Sequence, residues 1–284
     1  MFNYILYRIG EFLVLYLPIK ISSALAKFLS TLQYLLSKQD RISVRNNLKA
    51  ILPAIDESHL KKYTKNVFIN FGLYLAAFFG FKQLDRGYIK KNVIIEGIEY
   101  VDQALSQGKG LIIVSAHIGN WELGGVILGM LGYPVNAITL THKHKAVNAF
   151  FNRQRELKGF HVIPFENAVR GSLEALSRNE IVCILGDRDF TQGGQLLDFL
   201  GKPTVIPKGP AVFSLRNKTP LIAAFTIREK NNKFRFSFNP PIEFNPCGEY
   251  EKDVRLLTQT YLKQIEDCIL KYPDQWSMFR RYWL

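Results

Sequence analysis

From Asn92 onward, short apolar runs rich in β-branched residues alternate with helix-length amphipathic segments, and this alternation restricts the fold more than any other feature. Runs that are apolar throughout fit strands buried on both faces, and such strands need helices to cover them. Strands are expected near 93–96, 110–116, 135–140, 162–164, 181–186, 221–228 and 233–239. Helices fit 120–131, 145–158, 168–177, 208–216 and a closing 250–270. Parallel neighbours require a crossover, so strand-helix alternation predicts an α/β fold with a mixed, largely parallel sheet flanked by helices. The last two strands should form a hairpin, because Lys230-Asn231-Asn232 is a short link whose asparagines tolerate left-handed angles.

The first ninety residues read as helical, with a break near 85–91. Residues 4–19 are strongly apolar, but Arg8 and Glu11 interrupt them and Pro18 follows, leaving no clean run of about 20 apolar residues to span a bilayer. With Lys20, Lys27 and Lys38 along a second apolar stretch, residues 1–36 are expected to be a membrane-anchoring or interfacial helical segment. The alternative is a helical hairpin packed on the core. Residues 37–284 then form the α/β domain, with a helical lead-in to about 90. The uncharged stretch 66–81 carries Phe68, Phe71, Tyr74, Phe78, Phe79 and Phe81, which suits either a core helix or a lipid-facing one. No small-residue cleavage site follows the first apolar segment, so it is expected to stay on the protein.

A formal net charge of +13 attracts nucleic acid, an anionic membrane or an acidic protein alike. Nucleic acid is excluded as the expected partner, because there is no zinc-finger spacing, no RNP-like strand and no dense basic run. Cys183, Cys247 and Cys268 are too scattered for a disulfide framework or a zinc site. His142 and His144 lie in a cationic loop with no third ligand nearby, so no metal is expected. Neither a Gly-x-Ser-x-Gly elbow nor a phosphate-binding P-loop is present.

Chemistry points to 110–125, where the strand Leu-Ile-Ile-Val ends and Ser115-Ala-His117-Ile-Gly-Asn120-Trp-Glu122 follows at once. Functional groups in α/β sheets gather just past the carboxyl ends of strands, where His117 stands. Asn120 is a good N-cap for the next helix, which puts Glu122 in its first turn, where a carboxylate can fold back toward the imidazole. Such a pair can take a proton from an attacking alcohol. On spacing alone the alternative stays open that His117 is a buried, satisfied histidine and Glu122 a first-turn acid placed for the helix dipole.

Ala116-His117-Ile-Gly-Asn-Trp-Glu122 resembles the His-x-x-x-x-Glu signature of the lysophospholipid acyltransferase superfamily, and more narrowly the late acyltransferases of lipid A biosynthesis. Further blocks resemble that family in order: Arg45-Asn46-Asn47-Leu48 before Pro53; Arg155 to Gly159; Gly186-Asp187-Arg188-Asp189; Asp198 to Pro203; Lys208 to Ala211; and Tyr272 to Trp276 with Arg280-Arg281. The resemblance implies a glycerolipid acyltransferase-like fold, with His117 as general base and Glu122 as its partner. It implies substrate-binding roles for Arg155, Asp187, Asn120 and Gly201. It also implies a lipid acceptor, most simply a lipid A precursor, and an acyl carrier protein or acyl-CoA donor. No cofactor is implied, because the thioester supplies the activation, and the implied location is the cytoplasmic face of a bacterial inner membrane. Two positions depart from the pattern: Arg188 stands where the family has Gln, and Leu200 where it has an aromatic. The aromatic and arginine mixture at 275–283 suits either a membrane interface or a tail that packs Trp276 inward.

Overall fold

Helices come first and strands only later. The computed structural model describes residues 2–190 and 193–283, and opens with α1 (Phe2–Tyr16), α2 (Ile19–Leu36), α3 (Lys38–Ile51), α4 (Glu57–Phe79) and the short α5 (Arg86–Asn92). Then follow β1 (Val93–Glu96), α6 (Glu99–Leu105), β2 (Leu111–Ser115), α7 (Trp121–Leu131), β3 (Val135–Thr139), α8 (Lys145–Glu156), β4 (Phe160–Pro164), α9 (Ala168–Ser177) and β5 (Ile181–Leu185). The chain continues through β6 (Gln195–Phe199), β7 (Lys202–Ile206), α10 (Gly209–Asn217), β8 (Leu221–Arg228), β9 (Phe234–Phe238) and α11 (Tyr250–Lys271).

Seven of these strands form one sheet in the order β1-β9-β8-β2-β5-β3-β4. All its neighbours run parallel except the β8–β9 hairpin. Covering both faces explains why β2 and β5 are apolar throughout. Ile112, Val114 and Val182 join a core with α3, α9, α10 and α11, whereas Ile113, Ala137 and Ile222 face the opposite core with α6, α7 and α8. Each of these valines and isoleucines contributes about 1.5–3 kcal/mol by leaving water. Because β2, β3, β4, β5 and β8 are parallel, their carboxyl ends open on the same side of the sheet.

The stretch 66–81 resolves as core: Phe68, Phe78 and Phe81 are fully buried on or just after α4. Asp56 caps that helix by accepting the Ser58 and His59 amides. Trp276 and Trp283 are buried as well, while Arg280 and Arg281 are exposed, so the tail packs inward. The β6–β7 hairpin was not expected. Its strand signal is diluted by Pro203 and by exposed Leu196 and Val205, leaving Leu197 and Phe199 to face the core.

The first two helices have two different faces. Tyr4, Tyr7 and Val14 of α1 pack against the core under α7 and α8, and α2 lies along α4. Outward, α1 shows Ile5, Leu6, Ile9, Phe12 and Tyr16, and α2 shows Phe28, Leu29, Leu32, Leu35 and Leu36. Among the described residues no helix is long and apolar enough to cross a membrane.

Candidate active site

His117 leaves β2 just beyond the sheet and turns immediately. Gly119 makes the turn at φ +62°, and a Cβ there would lie 2.1 Å from the Thr226 carbonyl oxygen, so a side chain has no room. The Asn120 amide then donates to that same carbonyl at 2.8 Å, and its side chain caps α7 by accepting the Leu123 amide at 3.0 Å. These contacts hold the imidazole at the carboxyl edge of the sheet.

The ring's partner is Asp187, at the carboxyl end of β5, which is the strand paired with β2. His117 Nδ1 lies 2.8 Å from Asp187 Oδ1. Asp187 Oδ2 accepts the His117 backbone amide and the Trp276 indole N–H, both at 3.1 Å. Burial pushes this carboxyl up, but the His117 imidazole, the Arg188 guanidinium and the Trp276 N–H more than offset it and bring it down to about 2. An ionised Asp187 can only accept, so Nδ1 carries a proton and Nε2 is left with its lone pair.

Glu122 does not reach His117. It lies against the last turn of α8, where Arg155 Nε and Nη2 donate to its two carboxylate oxygens at 2.8 and 2.6 Å. A buried carboxylate is better compensated by a planar guanidinium than by a neutral imidazole, so the expected His117–Glu122 contact gives way to this pair. The Arg155 fork is consequently occupied.

The carboxyl-terminal segment clamps the dyad loop. Ser277 N–H donates to the His117 carbonyl at 2.8 Å, Ile118 bridges Trp276, and the Tyr282 hydroxyl donates to the Asp187 carbonyl. Asn47 holds this segment in turn: Nδ2 donates to the Met278 and Arg280 carbonyls at 3.1 and 2.8 Å, and Oδ1 accepts the Tyr282 amide. Thus the 45–48 and 272–283 blocks together hold the segments that carry His117 and Asp187.

His117, Glu122 and Arg155 line a cavity of about 690 Å³. Gly124 and Gly125 of α7 line it together with Ala137 and Cys183 of the sheet. Ile138 and Ile184 line it from the side of the opposite core, with Leu173 of α9 and Val212 of α10. A largely apolar cavity of this size suits a long hydrocarbon chain. Burial pushes the Cys183 thiol up to about 12, which leaves it protonated and unreactive.

Of the residues expected at the site, His117, Glu122 and Arg155 line one cavity, Asp187 touches His117 directly, and Asn120 serves as the helix cap. Gly201 stands apart, in the β6–β7 turn at φ +77° beside Leu200 at +55°, and does not line the cavity. That glycine is explained by the hairpin. His142 lines the cavity against the Phe151 ring, and no metal-binding group of three or more His, Cys, Asp or Glu occurs among the described residues. Trp276, Asn47 and Arg188 were not singled out as site residues, although each lies in a block that the resemblance marked.

A His–Asp pair on the carboxyl edge of a largely parallel sheet, beside a largely apolar cavity, defines an α/β protein with a polar pair set against apolar space. Residues 1–284 match the bacterial lipid A biosynthesis acyltransferase family, and the chain belongs to it. It is 29% identical over 207 residues to a phosphatidylinositol mannoside acyltransferase of Mycobacterium tuberculosis (strain ATCC 25618 / H37Rv), covering 72% of this chain and 61% of that protein. It is 20% identical over 245 residues to a lipid A biosynthesis acyltransferase of Haemophilus influenzae, covering 84% and 74%. It is 24% identical over 197 residues to the lipid A biosynthesis palmitoleoyltransferase of Escherichia coli (strain K12), covering 68% and 62%. The chain thus spans about three fifths of the mycobacterial relative it matches.

Proposed function

We propose that this protein transfers a fatty acyl chain from a thioester donor, acyl carrier protein or acyl-CoA, to a hydroxyl of a lipid acceptor. The observation that carries this reading is the His117–Asp187 pair, whose imidazole lines the largely apolar cavity. Nε2 takes the proton of the acceptor hydroxyl as its oxygen attacks the thioester carbonyl. The tetrahedral intermediate then breaks its C–S bond, and the imidazolium returns the proton to the departing sulfur, leaving ester and thiol. Asp187 holds the ring in the productive tautomer and stabilises the imidazolium, while Glu122 and Arg155 brace the cavity wall.

A lipid A precursor is the first acceptor to try, given the family. The mannoside acyltransferase relatives favour a second reading, a hydroxyl on a glycosylated phospholipid. The protein works at the cytoplasmic face of a bacterial inner membrane, lying on it through the outward apolar residues of α1 and α2. Its net positive charge suits both anionic lipid and an acidic carrier protein.

The test is to incubate purified protein with each donor and each acceptor class and follow the lipids by mass spectrometry. One acceptor should gain the mass of an acyl chain, and the lipids of a deletion strain should lack that species. Equal product formation by His117→Ala would overturn the assignment.

A further inference from the structure

The cavity holds cations that form no ion pair within 4 Å among the described residues, although the Asp187 carboxylate acts on Arg188 from farther away. Arg155 is committed to Glu122, but Arg188, Lys208 and Arg216 also line the cavity, and none has an ion-pair partner among the described residues. Arg188 is the most constrained. Its hydrogen bonds run through Nη2, to the Ser277 carbonyl at 2.9 Å and the Met278 sulfur at 3.0 Å. Its Nε–H is fully buried and meets no acceptor among the described residues. Burial draws this guanidinium below its usual range, Asp187 offsets that in part, and Arg280 adds repulsion.

We infer that Arg188, with Lys208 and Arg216 also lining the cavity, is a phosphate-binding residue for one of the two substrates. This rests on the acyl-transfer reading and deepens it. A buried N–H without an acceptor costs free energy in the resting protein, and an anionic oxygen aligned with it removes that cost on binding. An oxyanion formed only during reaction offers this N–H a partner in the transition state alone, whereas a substrate phosphate offers one throughout the bound lifetime. The phosphate belongs either to the phosphopantetheine arm of the donor or to the headgroup of the acceptor. In both cases the contact appears in KM rather than kcat.

Two measurements test it. First, inorganic pyrophosphate should raise the melting temperature of the wild-type protein, and Arg188→Gln should lose most of that shift. This readout needs no turnover, so it stands even if acyl transfer is not found. Second, Arg188→Gln should raise KM roughly ten- to a hundred-fold for the phosphate-bearing substrate, with kcat within a few-fold. Acyl-CoA against an acyl N-acetylcysteamine thioester isolates the donor, and a phosphorylated acceptor against its phosphate-free counterpart isolates the acceptor. The arm that loses the effect without phosphate identifies the source. Equal pyrophosphate shifts in both proteins, equal losses with and without phosphate, or a fall in kcat at constant KM would each overturn the proposal. Should Arg188→Gln fail to fold, Lys208→Gln decides, because Lys208 makes no ion pair among the described residues. An undiminished pyrophosphate shift in that variant also overturns the proposal.

Discussion

Arg155 closes both of its side-on N–H groups onto the two oxygens of Glu122, and this pair, rather than His117 with Glu122, uses the carboxylate in the first turn of α7. Both side chains are more than nine-tenths buried. Removing one partner leaves the other charged and uncompensated, so Arg155→Ala should cost about 3–5 kcal/mol in chemical denaturation. Arg155→Lys should recover part of this, because a point charge cannot reproduce the fork. Glu122→Gln combined with Arg155→Ala should cost less than the sum of the two single changes. Additive losses would show that the pair is not coupled.

His117→Ala and Asp187→Asn should each lower acyl transfer by about a hundred- to ten-thousand-fold while the circular dichroism spectrum is retained. Asp187→Asn is the sharper test, because Asn places an amide where the carboxylate fixes the tautomer. If Glu122→Gln lowers kcat at constant stability and Asp187→Asn does not, the assignment of the two carboxylates must be exchanged.

Much of this arrangement was legible in the sequence, but not which acid meets which base. The run 111–115 announced a strand covered on both faces, and the polar residues that follow it marked the sheet edge where His117 stands. Parallel topology then brought Asp187 to the same edge, although it lies 70 residues away. Spacing reports neighbours along the chain, so it favoured Glu122 as the imidazole's partner. Only the packing of α8 against α7 shows that Arg155 claims that carboxylate. The β6–β7 hairpin escaped for a related reason: its burial is set by packing against α11, which no local pattern reveals, and Gly201, which the resemblance marks as substrate-binding, sits in its turn.

Asp187 also carries a pH signature. Its carboxyl falls from an ordinary 3.8 to about 2 in the folded protein. A depressed acid contributes stability above its unfolded value and loses it as pH falls through the folded value, so the window runs from about 4 down to about 2. A shift of this size corresponds to about 2 kcal/mol. Melting curves across that window should therefore fall more steeply for the wild type than for Asp187→Asn. Parallel curves would mean that His117, Arg188 and Trp276 do not hold the carboxylate as described.

The thiols provide a probe of the cavity. Cys247 is exposed, whereas burial pushes Cys183 and Cys268 up to about 12. Since the thiolate is the reactive species, iodoacetamide at pH 8 should label Cys247 first, with the other two slower by orders of magnitude until denaturant is added. Tryptic mass mapping reads this directly, and rapid labelling of Cys183 in the folded protein would mean that the cavity beside it is open to water.

The outward faces of α1 and α2 are where membrane attachment should be decided. Phe28, Leu29, Leu32 and Leu36 are exposed on α2 while its other side packs along α4, so changing them removes apolar surface without opening the core. Each large apolar side chain that enters the bilayer interface contributes on the order of 1 kcal/mol or more to binding. Replacing Phe28, Leu29 and Leu32 together by Ser should therefore weaken sedimentation with anionic vesicles by roughly a hundred-fold, with little change in melting temperature. Added salt should weaken both proteins further, because it screens only the electrostatic share of the attraction. If the triple variant binds vesicles as tightly as the wild type, α2 does not face the membrane. If its melting temperature collapses instead, that face is covered within the folded protein by contacts that the exposed side chains do not reveal.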